Sequence, residues 1–182
     1  NERLNIDKKD SSKLLSLITE QKKICNYSSE SNISSKVDVL NDVIENVLLK
    51  NEKIIVFSQY VKTLEYIQDR ISKTSSIYHG GLSAEDKDKI ILDFKKNEEN
   101  NILLMSLMAG GVGLNLQEAS TVVMFDRWWN PAIESQAIAR AHRMGRREPV
   151  HAIKFVTPSS IEEKIVELLH NKKEMFDFII EG

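Results

Sequence analysis

Cysteine, proline and glycine are all scarce in this sequence of 182 residues. Its one cysteine, Cys25, cannot form a disulfide within the chain, which favours an intracellular protein over a disulfide-stabilised secreted one. The three prolines and seven glycines argue against collagen-like and low-complexity chains. No apolar run approaches the roughly 18 residues of a membrane span, and the first residues lack a signal-peptide pattern. We expect an intracellular protein without a membrane partner, nuclear in a eukaryote or cytoplasmic in a bacterium.

Several common catalytic signatures are also missing. The sequence contains no G-x-x-x-x-G-K-[ST] phosphate loop, and no Asp-Glu pair follows a predicted strand where it would bind magnesium. It contains no cluster of His, Cys and Asp at metal-ligand spacing and no Ser-His-Asp arrangement. We therefore predict that this chain contains no metal site. It also lacks the phosphate loop and the magnesium ligands through which a nucleotide is initially bound.

Charge is unevenly distributed along the chain. The net charge is −2, yet residues 127–154 carry six Lys or Arg against two Glu, a local charge of +4. The rest of the chain therefore sums to −6. A basic segment in an otherwise acidic chain is a candidate anion site, with a solvated basic surface as the alternative.

Short apolar runs alternate with helical patterns from residue 53 onward. The predicted strands are KIIVFS, SSIYHGG, NILLMS, TVVMFD and VHAIKFV, with helices predicted at 61–71, 84–96 and 132–145 and further helices at both ends. Capping patterns indicate helix starts at Ser35 (with Asp38), Ser83 (with Asp86), Asn130-Pro131, and Ser159 or Ser160. Strands separated by helices of this length indicate parallel βαβ units. The predicted fold is therefore an α/β sheet with helices on both faces.

Polar and glycine residues follow four of the predicted strands. These groups are Ser58-Gln59, residues 79–81, residues 106–113 and residues 126–130. Ligands of such sheets bind at the carboxyl ends of the strands. We therefore expect all four groups to share one edge of the sheet.

Two arginines form the first candidate site at that edge. Arg140 and Arg143 lie three residues apart in the predicted helix 132–145, so they project from one face, and Gln136 lies one turn earlier. A guanidinium group donates two parallel hydrogen bonds and stays charged, which suits a polyphosphate beyond the sheet edge. A surface helix with local salt bridges is the alternative.

Glycines and tryptophans supply two weaker signals. Gly111 and Gly113 let the backbone approach an anion closely, although a plain turn explains them equally well. Trp128 and Trp129 follow a predicted strand, and both cannot easily enter the core. Either one ring stacks on a sugar or base, or both are wedged between sheet and helix.

These segments, in this order, resemble the second RecA-like lobe of SNF2-type ATPases of helicase superfamily 2. KIIVFSQY is similar to motif IV, YHGGLS to the DNA-contact motif that follows it, and LLMSLMAGGVGLNLQEAS to motif V. FDRWWNPAIESQAIARAHRMGR resembles motif VI with its connecting segment, and SSIEEKIVELLHNKK resembles the terminal brace helix. KKICNYSS and SSKVDVLNDVI are similar to the segments that lead into the lobe. The tryptophan segment resembles the branch with Rad5- and Rad16-like proteins and several bacterial members.

The resemblance implies a RecA-like α/β fold in three parts. Residues 1–52 would be lead-in helices joining an upstream lobe of the same chain, 53–157 the lobe itself, and 158–182 a brace helix. The implied activity is ATP hydrolysis coupled to movement along double-stranded DNA, with ATP and Mg²⁺ bound mainly by the first lobe. Chromatin or repair proteins are further implied partners. The sequence does not begin with methionine, so we expect a piece of a longer chain. We expect this piece to be inactive by itself, because the phosphate-loop lobe is absent from it.

The resemblance also implies roles for single residues. Arg140 and Arg143 would be arginine fingers, with Gln136, Gly111 and Gly113 near the nucleotide. The implied DNA contacts are Ser58, Gln59, His79, Gly80, Ser106, Asn115 and Trp129, and such contacts read phosphate and shape. Three residues depart from the family pattern: Arg146 replaces a usual Gln, Arg127 a neutral residue, and Met108 a frequent Lys or Arg. Met108 cannot bind a phosphate as Lys or Arg would. The charges of Arg146 and Arg127 either compensate for this loss or reflect sequence drift.

Other functions remain as alternatives. One is an unwinding helicase of the same superfamily, although its motifs V and VI normally lack the WWNP segment. Another is a RecA-like interaction module that docks partners without hydrolysis. A Rossmann-type enzyme is excluded by order, because its glycine fingerprint follows the first strand and this cluster follows the third.

Overall fold

A computed structural model describes residues 8–28, 30–109, 114–142 and 149–181 of the chain, without the side chains of 8–11 and 172–181. The helices are α1 (Lys8–Asn26), α2 (Ser35–Leu48), α3 (Val61–Gln68), α4 (Ala84–Lys96), α5 (Pro131–Ala139) and α6 (Ile161–Glu181). The strands are β1 (Lys53–Ser58), β2 (Ser75–Tyr78), β3 (Ile102–Ser106), β4 (Ala119–Met124) and β5 (His151–Lys154). No helix in the described ranges is both long and apolar enough to cross a bilayer.

All five strands form one parallel sheet in the order β2-β3-β1-β4-β5. The three central strands are almost wholly buried, as expected for continuous apolar runs covered on both faces. Side chains alternate along β1: Ile54 and Val56 join a core cluster with α2 and α3, whereas Ile55 and Phe57 join a second cluster with α4 and α5. The predicted α/β fold with helices on both faces is confirmed.

Local capping explains where several helices begin. Ser83 caps α4, since its hydroxyl accepts from the Asp86 N–H at 3.0 Å, and the Asn130 side chain caps α5 with Pro131 in the first turn. Both starts agree with the sequence prediction. The start of α2 differs by one residue, because Ser34 rather than Ser35 is the cap and accepts from the Val37 N–H.

Helix α5 ends earlier than predicted. Its last residue is Ala139, whereas the sequence pattern predicted a helix to residue 145. The N–H groups of Arg140 and Ala141 still bond to the helix, but the Arg140 carbonyl accepts from the Leu116 N–H at 3.0 Å. This contact with the connection between β3 and β4 uses an acceptor that a continuing helix would need. The helix predicted for this arginine pair therefore ends before Arg140, which is the C-cap residue of α5. Arg143 lies outside the described residues, so the shared face of the two arginines stays a prediction.

Candidate functional site

The carboxyl ends of the strands bring the predicted groups to one edge of the sheet. Ser58 pairs with Ser106 in register, and Tyr78 pairs with Met105 on the neighbouring strand. Asp126 follows β4 and hydrogen-bonds Ser58 across the end of β1. This edge, called the carboxyl edge below, confirms the expected meeting of the groups, except for residues 110–113, which lie outside the described residues.

Asp126 is the centre of the carboxyl edge. Its carboxylate is completely buried and accepts hydrogen bonds from the Ser58 hydroxyl, from the Gln59 backbone and side-chain N–H groups, and from the Asn26 amide at 3.1 Å. Burial raises the pKa of the Asp126 carboxyl, while these hydrogen bonds and the charge of Lys22 oppose that rise. The ends of β1 and β4 and the last residue of α1 are therefore fixed to one another.

Lys22 extends this network to the tryptophans. Its ammonium donates to the Gln59 side-chain oxygen at 2.9 Å and lies 5.7 and 5.6 Å from the ring centroids of Trp128 and Trp129. Gln59 in turn donates to the Arg127 carbonyl at 2.8 Å. Lys22 is only 1% exposed, and burial lowers its pKa, opposed by the negative charge of Asp126. Helix α1 is thus joined to the carboxyl edge through a buried cation.

Arg127 is neutralised by a partner on α5. Its guanidinium donates twice to Glu134, at 3.0 and 3.1 Å, and Glu134 also pairs with Lys154 at 2.9 Å. Burial pushes the pKa of Glu134 up, but the hydrogen bonds from Arg127, the Trp128 N–H and Lys154 outweigh it and hold the pKa below its ordinary value. Of the two explanations left open for Arg127, this ion pair favours drift over compensation at Met108, because the guanidinium is buried against a carboxylate.

Arg140 lies beside the carboxyl end of β3. Its guanidinium is half-buried and approaches the Met105 sulfur at 3.7 Å, while its backbone carbonyl accepts from Leu116. Burial lowers the pKa of Arg140, and the nearby Tyr78 at the end of β2 opposes that shift. Arg140 therefore lies at the carboxyl edge, and its carbonyl is bonded to the segment between β3 and β4 that contains the glycines. It lies just past the end of α5 rather than within the longer helix that the sequence had predicted.

The other predicted residues are unevenly exposed. Ser58 has no exposed surface and Ser106 is only 6% exposed, so neither side chain faces solvent. Trp129 is 41% exposed, and Gln136 and Gly80 are exposed as well. His79 is partly exposed and accepts from the Gly81 N–H through Nδ1. The partly buried Asn115 has a side-chain oxygen without a hydrogen-bond partner among the described residues.

Four residues named in the sequence analysis cannot be located. Gly111, Gly113, Arg143 and Arg146 lie outside the described residues. Met108 is described, and its side chain is 69% exposed. The roles expected for the first three remain predictions.

The residues that join the helices to the carboxyl edge were not predicted from the sequence. Lys22, Asn26 and Glu134 make the hydrogen bonds just described. In addition, Lys36 on α2 pairs with Glu162 on α6 at 2.7 Å. No periodic or spacing pattern connects residues 126 positions apart.

Comparison with known proteins gives a consistent result. The model of the helicase conserved C-terminal domain family matches residues 35–145. The chain is 35% identical over 183 residues to YwqA of Bacillus subtilis, a candidate ATP-dependent helicase/translocase, covering 93% of this chain and 20% of that protein. It is 41% identical over 133 residues to DNA repair protein RAD5 of Candida albicans, covering 69% of this chain and 12% of that protein. The chain thus spans a fifth or less of the length of these relatives.

Solved structures show the same likeness. The Sulfolobus solfataricus SWI2/SNF2 ATPase C-terminal domain matches with a TM-score of 0.75 and 29% identity, over 95% of this chain and 75% of that one. The SWI2/SNF2 ATPase core of the same organism, solved in complex with double-stranded DNA, matches with a TM-score of 0.79 and 29% identity. That match covers 96% of this chain and 39% of the other.

Proposed function

The chain belongs to the helicase conserved C-terminal domain family and is the C-terminal RecA-like lobe of an SNF2-type ATPase, and from this premise we propose that it is the second motor lobe of an ATP-dependent translocase on double-stranded DNA. It supplies arginine fingers to the nucleotide and backbone contacts to the duplex. The observation that carries this proposal is the location of Arg140, beside the carboxyl end of β3 and bonded through its carbonyl to Leu116.

Arg140 and Arg143 are the proposed arginine fingers. A guanidinium group stabilises the negative charge that develops on a transferring phosphoryl group, because its planar donors match phosphate oxygens. Contacts with Met105 and the proximity of Tyr78 hold Arg140 at the ends of β3 and β2, the side from which a ligand of a parallel sheet approaches. The remaining residues proposed to lie near the nucleotide are Gln136, Gly111 and Gly113.

The donor chemistry at this edge fits a triphosphate. ATP supplies the phosphoryl group that is hydrolysed, and Mg²⁺ is held mainly by the first lobe, since this sequence contains neither a phosphate loop nor an acidic magnesium motif. This chain's part is to position its guanidinium groups. The bond between the Arg140 carbonyl and the Leu116 N–H fixes the end of α5 relative to the glycine-containing connection, so both approach the nucleotide together.

The duplex is proposed to contact the exposed part of the carboxyl edge. Trp129, His79 and Gly80 present accessible surface there, and an added Cβ at Gly80 would meet nothing within 4 Å, so this backbone is open to a close approach. Gln59, Ser106 and Asn115 complete the proposed set. Ser58 and Ser106 are the weakest members, because both side chains are buried and the Ser58 hydroxyl is bonded to Asp126.

The wider setting is proposed from the relatives. One is named a DNA repair protein and another, ISW2 of Saccharomyces cerevisiae, an ATPase of a chromatin-remodeling complex. We therefore propose repair or chromatin proteins as partners, an upstream lobe in the same chain, and an intracellular location. Residues 1–52 would lead in from that lobe, 53–157 form the motor lobe, and 158–182 brace it.

Substitution of the arginines in the two-lobe protein tests the proposal. Arg140→Ala and Arg143→Ala are each expected to lower DNA-stimulated ATP hydrolysis by about 10³-fold or more, while binding of a fluorescent ATP analogue changes little. Arg140→Lys keeps the charge but loses the planar fork, so it is expected to remain far below the unmodified protein. His142→Ala, at an exposed neighbouring position, is the matched control. Unchanged turnover in both alanine variants would refute the assignment of the fingers.

The isolated chain provides a second measurement. With saturating duplex DNA it should show no appreciable ATP hydrolysis, because half of the nucleotide site is contributed by another lobe. Its DNA binding should be weak and should fall steeply with salt, as expected for phosphate contacts. Robust hydrolysis by these 182 residues alone would overturn the half-site argument.

A further inference from the structure

A buried lysine ammonium contacts two tryptophan rings at the carboxyl edge. Lys22 is 1% exposed, and its Nζ is almost equidistant from the ring centroids of Trp128 and Trp129, at 5.7 and 5.6 Å. Its hydrogen bond to the Gln59 side-chain oxygen at 2.9 Å fixes the direction of the ammonium. The lysine comes from α1, whereas the indoles follow β4 and Gln59 follows β1. One side chain therefore joins three separate parts of the chain.

Burying a cation is unfavourable unless its surroundings replace water. Here the ring faces of two indoles attract the ammonium, and a solvent-excluded cation–π contact is stronger than an exposed one. The buried carboxylate of Asp126 lies near enough to oppose the loss of charge. The ammonium and the two indoles therefore form one contact, so removal of Lys22 is expected to change the surroundings of both rings.

The two indoles differ in exposure. Trp128 is partly buried and packs against the core cluster on the α4 and α5 side of the sheet, whereas Trp129 is 41% exposed. A ring that contacts a buried cation and still exposes 41% of its surface is suited to stack on a flat group or lie along a groove.

We propose that Lys22 is a positioning residue for duplex binding: it holds Trp129 in the half-exposed orientation in which this ring contacts DNA. The proposal rests on the proposed function and deepens it, because it assigns a role in DNA binding to α1, outside the strands and loops of the carboxyl edge. Lys22 itself is buried and acts through the indole and through Gln59.

Tryptophan fluorescence tests the positioning without DNA. The chain contains two tryptophans, and both lie at this site, so quenching by neutral acrylamide reports on them alone. Lys22→Met is expected to change the emission maximum and the quenching slope. Lys22→Arg, whose guanidinium also stacks on indole faces, should stay close to the unmodified chain. Lys13→Met, at an exposed position of the same helix, is the control and should change neither.

Duplex binding by the same variants tests the consequence. Lys22→Met should raise the Kd for a short blunt-ended duplex by roughly two- to thirtyfold, the range that corresponds to cation–π contacts from exposed to desolvated settings. Combining Lys22→Met with Trp129→Ala should weaken binding no further than Trp129→Ala alone, because the lysine acts through that ring. Should Lys22→Met fail to fold, Lys22→Gln with the same double-mutant comparison replaces it.

Each outcome has a distinct meaning. Unaltered fluorescence in Lys22→Met would overturn the proposal, whatever the DNA result. Additive losses in the double variant would also overturn it, since the lysine would then act independently of Trp129. If the unmodified chain and the two-lobe protein bind no duplex, the proposed function fails, and the fluorescence result still decides whether Lys22 positions the indole.

Discussion

The buried ion pair between α2 and α6 gives the sharpest stability prediction. Glu162 has no exposed surface, and both its oxygens lie 2.7 Å from the ammonium of Lys36, which is 7% exposed. Glu162 also accepts from the Thr157 N–H at 2.9 Å, and Lys36 donates to the Phe125 carbonyl at 3.0 Å. The pair therefore joins the second helix, the end of β4 and the start of the last helix in one contact.

Glu162→Gln removes the negative charge with little change in volume. The remaining amide oxygen can still accept from Thr157, so the main loss is that the Lys36 ammonium stays buried without its counter-charge. Breaking one side of a buried pair costs about 3–5 kcal/mol, and we expect the lower end, about 3 kcal/mol, because the Phe125 carbonyl still accepts. For a chain of this size, this corresponds to a fall in Tm of roughly 6–12 °C.

Urea unfolding followed by circular dichroism measures this loss. Lys36→Met combined with Glu162→Gln should be clearly more stable than Glu162→Gln alone, because the unpaired cation is then gone. Glu118→Gln is the matched control, since its partner Lys95 is 3.8 Å away and both side chains are about one-third exposed. That exposed pair should contribute less than about 1 kcal/mol. A loss below about 1 kcal/mol in Glu162→Gln, or a double variant no more stable than the single one, would refute the reasoning.

Two further predictions concern the buried carboxylate of Glu134 and the cap of α4. Because the folded-state pKa of Glu134 lies below its ordinary value of 4.5, its charge stabilises the fold above that pH, and the stabilisation is lost as the pH falls through the lowered pKa. Glu134→Gln should therefore lower the free energy of unfolding at neutral pH. In this variant the urea unfolding midpoint should also decrease less as the pH is lowered, and an unchanged decrease would contradict the prediction. Ser83→Ala removes the cap of α4 and should cost about 1 kcal/mol, whereas Ser72→Ala, at an exposed position between α3 and β2, should cost almost nothing.

The fold was largely predictable because its signals are local. Each central strand is a short apolar run, and the starts of α4 and α5 follow from side chains within three residues of the first turn. The edge could also be predicted, since parallel strands end on the same side. The end of α5 could not, because it depends on a hydrogen bond between Arg140 and Leu116, which are far apart in the sequence.

The chemistry of the edge was less predictable than its location. From the sequence, Arg127 was an added positive charge, yet Glu134, seven residues on, turns inward and neutralises it. A carboxylate in the first turn of a helix is normally explained by the helix dipole, so nothing in the sequence indicated that this one would be buried. The placement of Lys22 depends equally on tertiary contacts, because α1 is separated from the tryptophans by about a hundred residues.

The buried charges have a common effect on the terminal helices. Among the described side chains, none from α1 or α6 belongs to the two apolar core clusters, but each helix has a buried polar side chain that connects it to the sheet. Lys22 bonds to Gln59 after β1, and Glu162 pairs with Lys36, which donates to the carbonyl after β4. Apolar contacts tolerate sliding, whereas a buried charge must keep its partners or become unpaired at a cost of several kcal/mol. We infer that α1 and α6 are fixed in register against the carboxyl edge rather than merely packed on it. A movement imposed on α1 would then be transmitted to Gln59 and Trp129, because the Lys22 ammonium is hydrogen-bonded to Gln59 and makes a cation–π contact with Trp129.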